Sequence, residues 1–520
     1  MTSLSSGALL SAQQPTEALR CPDHSLVRNS LRTCTLASGH SLLRAARLRH
    51  SVANINATHG RSHRRGTDAL AATTQQSSAV MTPILQLQKR LQDSGAVLDA
   101  LDLSYKQSVA ARKVRQGEVL LSIPGDVAVT KEDVAAEPAC AQLASGRSEV
   151  VGLALWLIVQ RCKGSTSPWK DFVDTLPQTT NSPTLWPPEE QSEYLQGSPA
   201  LQEAQARSTA LDAEWDSVSQ QMAADPSQQA DLKINRDIFR SAVAVVIAHA
   251  VYLPSVQCFS LLPVASTLQR TGADTGAALD YDIDNGCVTL TAQRTIRQGE
   301  PVAIYDGRPN SEMFLASGML EENNLSDYLT VQASLVAADK LYVMKKQVVQ
   351  SLGFDVQQEF PIYADRMPTQ LLAFLRLSRL QDSGQMAKIN FEDDVVISQS
   401  NEYEVLQLLM ADMRDRLTAY PGSIEDEMKL LQNKKLTERQ RAAAQLRFSE
   451  KVILQKTLDA VRRRLAPIRG IPTKGGKMVS PNADLEDIFS TIENIPNAPK
   501  KLFAGIKSWA RGDKDPTWKR

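Results

Sequence analysis

The chain reads as an α+β protein, and three features carry that reading. Short alternating apolar runs occur before residue 130 and again between 256 and 330, with Gly and Asp/Asn turns between them. A long helical block, about 149–255, separates the two groups of strands. From about 331 to 466 the sequence is helical again. At 520 residues and 42 % hydrophobic, it is long enough for more than one domain and rich enough in apolar residues for sizeable cores.

Each block has its own grounds. ILQLQKRLQDSG, near residue 84, has helical spacing, and SVAARKV, EVLLSIP and VAVT follow as strand-like runs, with Gly117 at a turn. EVVGLALWLIVQRC and ALQEAQARSTALDAEWDSVSQQM anchor the helical block. The apolar stretch from Ala242 to Leu253 contains His249 and is too short to span a membrane, so it reads as a buried helix. CFSLLPVA, AALDYDI, CVTLTAQRTI and PVAIYDG are the returning strands. PTQLLAFLRLSRL and TERQRAAAQLRFSEKVILQKTLDAVRRRL are long helices. The last ~54 residues (467–520) read as an extended tail with one short helix near LEDIFSTIENI.

Composition excludes several chemistries. Lys plus Arg and Asp plus Glu both number 58, which argues against a nucleic-acid partner. No uncharged apolar run is long enough for a membrane span. None of the six cysteines forms a CxxC pair, so no zinc site or disulfide framework is expected. Five of the six histidines fall in the first 63 residues. Residues 1–67 hold nine arginines, no lysine and two acids, Glu17 and Asp23, the pattern of an organelle transit peptide of about 75 residues. The mature chain then holds His249 as its one histidine, a core residue with a single hydrogen-bond partner. Chemistry that needs a His base, a Ser/His/Asp triad or a multi-His metal site is close to excluded.

Several words resemble the SET-domain proteins of the Rubisco large-subunit methyltransferase type. VAARKVRQGEVLLSIP resembles that family's first SET segment, and SPWKDFVDTLPQ, Trp186-Pro187 and YLQGSP resemble its helical insert. LLPVASTLQ, ALDYDI and RTIRQGEPVAIYDGRPNSEMFLASGML followed by EENNLSDYL resemble its core strands and knot-like segment. SIEDEMKLLQNKKLTERQRAAAQLRFSEKVILQKTL resembles its helical substrate-binding domain. The resemblance covers about residues 84–465. It implies a SET β-fold at 84–330 with a helical insert at about 149–255, followed by an all-α substrate- or partner-binding domain at 331–466.

The resemblance also implies an S-adenosylmethionine site and a channel that admits a target lysine, where catalysis is positioning and electrostatics. Three of the words that would build these sites are altered. The Gly-x-Gly turn before Val109-Ala110 is replaced by Tyr105, Lys106 and Gln107. The Asn-His pair that would fix the adenine end, after Pro263-Val264-Ala265-Ser266-Thr267-Leu268, is Gln269-Arg270. The channel tyrosine and the aromatic that follows are Ser317 and Met319, whereas Tyr305 in AIYDG matches the family's other channel tyrosine.

The expectation is therefore a non-catalytic SET protein of the chloroplast stroma without a cofactor. It would bind Rubisco or a Rubisco-associated protein and support its organisation, in the pyrenoid and the CO2-concentrating mechanism where the source is a green alga. The alternative is an active S-adenosylmethionine-dependent protein-lysine methyltransferase acting on Rubisco or another stromal enzyme such as aldolase. A third reading, a subunit of the plastid transcription machinery, sits less well with the neutral charge. The tail ends in KSWARGDKDPTWKR, where Trp509 and Trp518 among basic residues would suit docking.

Overall fold

A computed structural model describes residues 75–468, apart from 104–107, 225–233, 266–267 and 274–275. The expected transit segment and most of the tail, with Trp509 and Trp518, lie outside these residues.

Helix α1 (Gln75–Asp93) leads into two short strands, β1 (Leu101–Asp102) and β2 (Val109–Ala110), paired antiparallel. Strand β3 (Val119–Pro124) follows the turn at Gly117, whose φ of +80° a glycine adopts without strain. The VAVT run forms one 3-10 turn and a bridge from Val129 to Leu261 rather than a full strand. Three helices, α2 (Lys131–Ala136), α3 (Ala141–Ala144) and α4 (Glu149–Lys163), then open the insert. Thr130 closes a capping box on α2, and Ser148 caps α4 by accepting from the Val151 amide. Residues Val151–Gln160 of α4 are buried on every side, as a central core helix requires.

The insert continues through α5 (Lys170–Val173), α6 (Pro188–Tyr194), α7 (Pro199–Ala224) and α8 (Arg236–His249). The apolar stretch from Ala242 to Leu253 is not one helix. It is helical to His249, after which Ala250 is extended and Val251–Leu253 form β4, paired with β5 (Cys258–Ser260). Pro254 disfavours helical backbone in the residue before it, and Val251 is β-branched, so local preference ends the helix early.

Strands β6 (Gln269–Thr271), β7 (Ala278–Asp282), β8 (Cys287–Thr291) and β9 (Ala303–Tyr305) complete the β part. β3, β8 and β7 form one antiparallel sheet, while β6 and β9 run parallel. One large core joins these strands to α4 and α8, with Trp156 and Phe239 fully enclosed. Helix α9 (Asn310–Ser317) ends at Gly318 in the left-handed conformation.

The carboxy-terminal domain is mostly helical, but the all-α expectation omitted a two-stranded ribbon. Strands β10 (Tyr328–Ser334) and β11 (Gln357–Tyr363) pair antiparallel over seven positions, flanking α10 (Tyr342–Ser351). Leu329, Val331 and Ala333 face a core of helices, which explains why a two-stranded ribbon persists. Helices α11 (Thr369–Arg379), α12 (Gln399–Ala419), α13 (Ile424–Leu431) and α14 (Glu438–Ile468) complete the domain.

The amino-terminal half of α14 packs on the insert and α9. Ala442, Ala443 and Leu446 share a cluster with Trp186, Leu195, Ala204, Phe314 and Leu315. Buried ions reinforce this seam: Arg447 binds both carboxylate oxygens of Glu427 at 2.6 and 2.9 Å and donates to the Tyr194 carbonyl. Lys451 reaches the same carboxylate at 3.0 Å.

Candidate functional site

Of the residues singled out by sequence, Gln269, Arg270 and Tyr305 lie where β6 and β9 run side by side, and Ser317 and Met319 lie at the end of α9. In this parallel pair Arg270 is opposite Ile304 and Thr271 is opposite Tyr305. Side chains alternate along a strand, so Arg270 shares a face with Asp306 while Thr271 and Tyr305 lie on the other.

Arg270 is turned into the protein. Its guanidinium donates to the Ala250 carbonyl at 2.8 Å and lies 3.5 Å from the Asp306 carboxylate. Asp306 is itself gripped by Arg308 through two bonds of 2.6 Å. Burial pushes the Asp306 carboxyl up, but Arg308 and Arg270 together outweigh it and hold the group below the usual carboxylate range. Burial acts against the charged form of Arg270, and Asp306 opposes that effect. Arg308 and Asp306 were not picked out from the sequence. The charged pair flanking Gly307, directly after Tyr305, was the available signal. Gln269 precedes Arg270 on β6 with an exposed side chain.

Tyr305 keeps its place on β9 and is 45 % exposed, so its ring is reachable from solvent. Its phenol lies over Gly307, where an added Cβ would sit 2.8 Å from the hydroxyl. Gly276 approaches the Tyr305 backbone as closely, 2.8 Å from an added Cβ to the amide nitrogen. These glycines make room for Tyr305 and β9.

Ser317 is the last residue of α9. Its hydroxyl donates to the Met313 carbonyl at 3.0 Å and accepts from the Met319 amide at 3.3 Å. These are local capping bonds. Met319 is largely exposed. The end of α9 is wedged against the insert: Ser182 donates to the Leu315 carbonyl at 2.6 Å, and Gly318 lies against the Asn181 backbone.

The segment after α9 is threaded back through the strands. Glu321 accepts from the Thr271 hydroxyl and the Gly272 amide, each at 2.6 Å. The Asn324 amide donates to the Arg308 carbonyl at 2.8 Å, and Ser326 donates to the Gly272 carbonyl at 2.6 Å. Asp327 accepts from the Asn310 backbone at 2.9 Å and from the Ser449 hydroxyl of α14. This mesh fixes the 320–327 segment and ties the β part to the helical domain. The words EENNLSDY and RPNSE marked the segment in the sequence but not which side chains pair.

Just before β6, Val264 is buried with a φ of +66°. A β-branched residue pays strain in that region, so the surrounding packing dictates the bend that aims the chain into β6. Tyr105, Lys106 and Gln107, and likewise Ser266 and Thr267, lie outside the described residues. Among the described residues, no group of three or more His, Cys, Asp or Glu side chains is placed to hold a metal ion.

Residues 336–454 match the Rubisco LSMT substrate-binding family. The chain is 24 % identical over 375 residues to a tobacco chloroplast Rubisco large-subunit N-methyltransferase, covering 68 % of this chain and 76 % of the relative. It is 25 % identical over 365 residues to an Arabidopsis thaliana chloroplast fructose-bisphosphate aldolase-lysine N-methyltransferase, covering 67 % and 75 %. A human actin-histidine N-methyltransferase is 24 % identical over 410 residues, covering 72 % and 67 %. In structure, the chain resembles the SET domain of LSMT bound to lysine and AdoHcy, with a TM-score of 0.61 and 22 % identity, over 80 % of this chain and 99 % of that one. Fold, domain order and relatives agree: the chain is similar throughout its described length to SET-domain proteins of the Rubisco-methyltransferase type, and residues 336–454 carry that group's substrate-binding domain.

Proposed function

We propose that this chain is a docking member of its group, with little or no methyl transfer, and that it binds Rubisco or a Rubisco-associated protein in the chloroplast stroma. The observation that carries the reading is the Arg270–Asp306–Arg308 cluster. The position where a compact imidazole would serve the adenine end of S-adenosylmethionine holds a longer, permanently charged fork. That fork is engaged by the Ala250 carbonyl and Asp306. Freeing it to meet a cofactor would strip a buried carboxylate of one partner, at a cost of roughly 1–3 kcal/mol.

Ser317 supports the same reading. Its hydroxyl is committed to the α9 terminus, and a serine is several ångströms shorter than a tyrosine at the channel. A positioned polar group at a transition state is typically worth on the order of 10²–10³ in rate. The described residues at these two positions therefore do not fit S-adenosylmethionine, and no transfer step is assigned to them.

The helical domain supports docking as the retained role. Its seam with the insert is an apolar cluster, and Arg447, paired with Glu427 inside the helical domain, donates across it to the Tyr194 carbonyl. The chloroplastic relatives and the Arg-rich start favour the stroma. Pyrenoid organisation is the corresponding role in a green alga.

The second reading, an active protein-lysine N-methyltransferase, is favoured by Tyr305, which keeps the family's other channel position on an exposed strand edge. One experiment separates the two. The chain from residue 75 is incubated with purified Rubisco holoenzyme or aldolase and methyl-labelled S-adenosylmethionine, and complex formation is followed in parallel. Stable Rubisco binding without label transfer is the expected result. Label on a lysine of either protein would establish the second reading instead.

A further inference from the structure

The seam between the insert and the helical domain is bridged by one buried acid. Glu450, on α14, is 2 % exposed. It accepts from the Ser198 hydroxyl of the insert at 2.9 Å and from the Tyr420 hydroxyl, just past α12, at 3.1 Å. Ser198 also accepts from the Ala200 amide at 3.1 Å, at the start of α7. Backbones meet directly beside this bridge: a Cβ added to Gly197 would sit 2.6 Å from the Ala419 carbonyl oxygen. One carboxyl therefore joins α14, the end of α12 and the insert. The preceding residue on α14 reaches the β part. Ser449 donates to Asp327, which also accepts from the backbone and side-chain amides of Asn310 on α9, at 2.9 and 3.1 Å.

The charges around Glu450 are matched without it. From α13, Glu427 faces Arg447 and Lys451 of α14. All three guanidinium nitrogens of Arg447 are engaged, two by Glu427 and one by the Tyr194 carbonyl. Lys451 donates to Glu427 and to the Pro421 and Gly422 carbonyls, and its ammonium lies over the Tyr420 ring. One carboxylate against two cations leaves one positive charge, and Asp327 cancels it. The other ions along the seam are paired among themselves: Arg439 with Glu190 of α6, Arg207 of α7 with Glu312 of α9, and Arg416 with Asp412 on α12.

A charge on Glu450 is therefore an excess charge in an enclosed space, and such a group holds its proton instead. Its two partners are hydroxyls, which accept as well as donate, so the protonated carboxyl keeps the bridge. Burial pushes Glu450 up to about 8, with Asp327 adding to the effect, and burial pushes Asp327 up as well. Burial and the facing Glu450 push the Tyr420 phenol up, so it stays a neutral hydroxyl.

We propose that Glu450 is a proton-operated latch: protonated, it holds Ser198 of the insert to Tyr420 of the helical domain, and ionised, it lets the seam open. Opening exposes Glu450 to water, where its proton leaves in the ordinary glutamate range. The open form therefore gains as pH rises from that range to about 8, and gains no further above it. A protein held across both parts is gripped less firmly over the same window. The latch does not depend on whether methyl transfer is retained.

The test is amide exchange on the full chain between about pH 6 and about pH 8, corrected for the intrinsic rate at each pH. The seam amides, residues 195–204, should be less protected than those of the β10–β11 ribbon, and their protection should fall by about tenfold per pH unit. Glu450→Gln keeps both hydroxyl partners without the charge, and should remove most of that fall. Asp327→Asn, which takes away the facing carboxylate, should make the fall level off at a lower pH. Seam protection that does not change with pH overturns the proposal, as does an equal fall in Glu450→Gln. Equal protection of seam and ribbon at every pH also overturns it, because the seam then opens only when the whole domain unfolds. If Glu450→Gln does not fold, the comparison of seam with ribbon in the parent and in Asp327→Asn decides.

Discussion

The two regions that a methyltransferase of this shape needs are preserved to different degrees. At the seam between the insert, α13 and α14, charge and packing cooperate: Arg447, Glu427 and Lys451 satisfy one another beneath an apolar cluster. At the β6–β9 pair and the end of α9 the side chains are engaged within the fold. Arg270 holds Asp306, Ser317 caps its own helix, and Tyr305 lies exposed over Gly307. At the seam the side chains join two parts of the fold, and at β6–β9 and α9 they hold strands and a helix end. The docking function proposed above would leave that contrast.

The largest expected effect is at the seam. Arg447→Ala leaves Glu427 buried with one cation fewer and the Tyr194 carbonyl without its donor. It should cost about 3–5 kcal/mol, read as a lowered urea midpoint. Asp306→Asn tests the other region. It weakens the pairing of two arginines in a partly buried cluster and should cost about 1.5–3 kcal/mol in the same assay. If Asp306→Asn cost nothing while S-adenosylmethionine bound, the cluster would not be structural and the contrast would fail.

The pH dependence of stability sharpens the comparison. Burial pushes Glu450 on α14 up to about 8, although Ser198 and Tyr420 both donate to it, at 2.9 and 3.1 Å. The nearby Asp327 raises it further, and Arg447 opposes. An acid raised in the folded state binds its proton more tightly there than when unfolded. Its contribution is therefore complete below the ordinary glutamate range and is lost as pH rises to about 8. Stability of the parent should fall across that window, and Glu450→Gln should flatten the fall while keeping both partners. The smallest effect is expected for Ser317→Ala, below about 1 kcal/mol by thermal unfolding, since only helix-end bonds are lost.

Much of this was legible from residues. Gly117 and the Asp/Asn turns marked the strands, and Ser148 and Asn235 stand at the helix starts they cap. Arg270 and Ser317 were visible as substitutions. Their partners were not, because Asp306 and the Met313 carbonyl become neighbours only through strand pairing and helix closure. The β10–β11 ribbon was missed for a physical reason: Pro361 within QQEFPIY argues against a strand. The break at Ala250 was missed because an apolar run does not reveal where helix gives way to strand.

The central claim is that the SET pocket of this chain has lost its cofactor. Calorimetric titration of the chain from residue 75 with S-adenosylmethionine and S-adenosylhomocysteine, up to millimolar ligand, tests it most directly. The account predicts no heat of binding and no shift in unfolding temperature. Micromolar binding of either compound, about −8 kcal/mol, would contradict it and make Arg270 and Ser317 part of a working site.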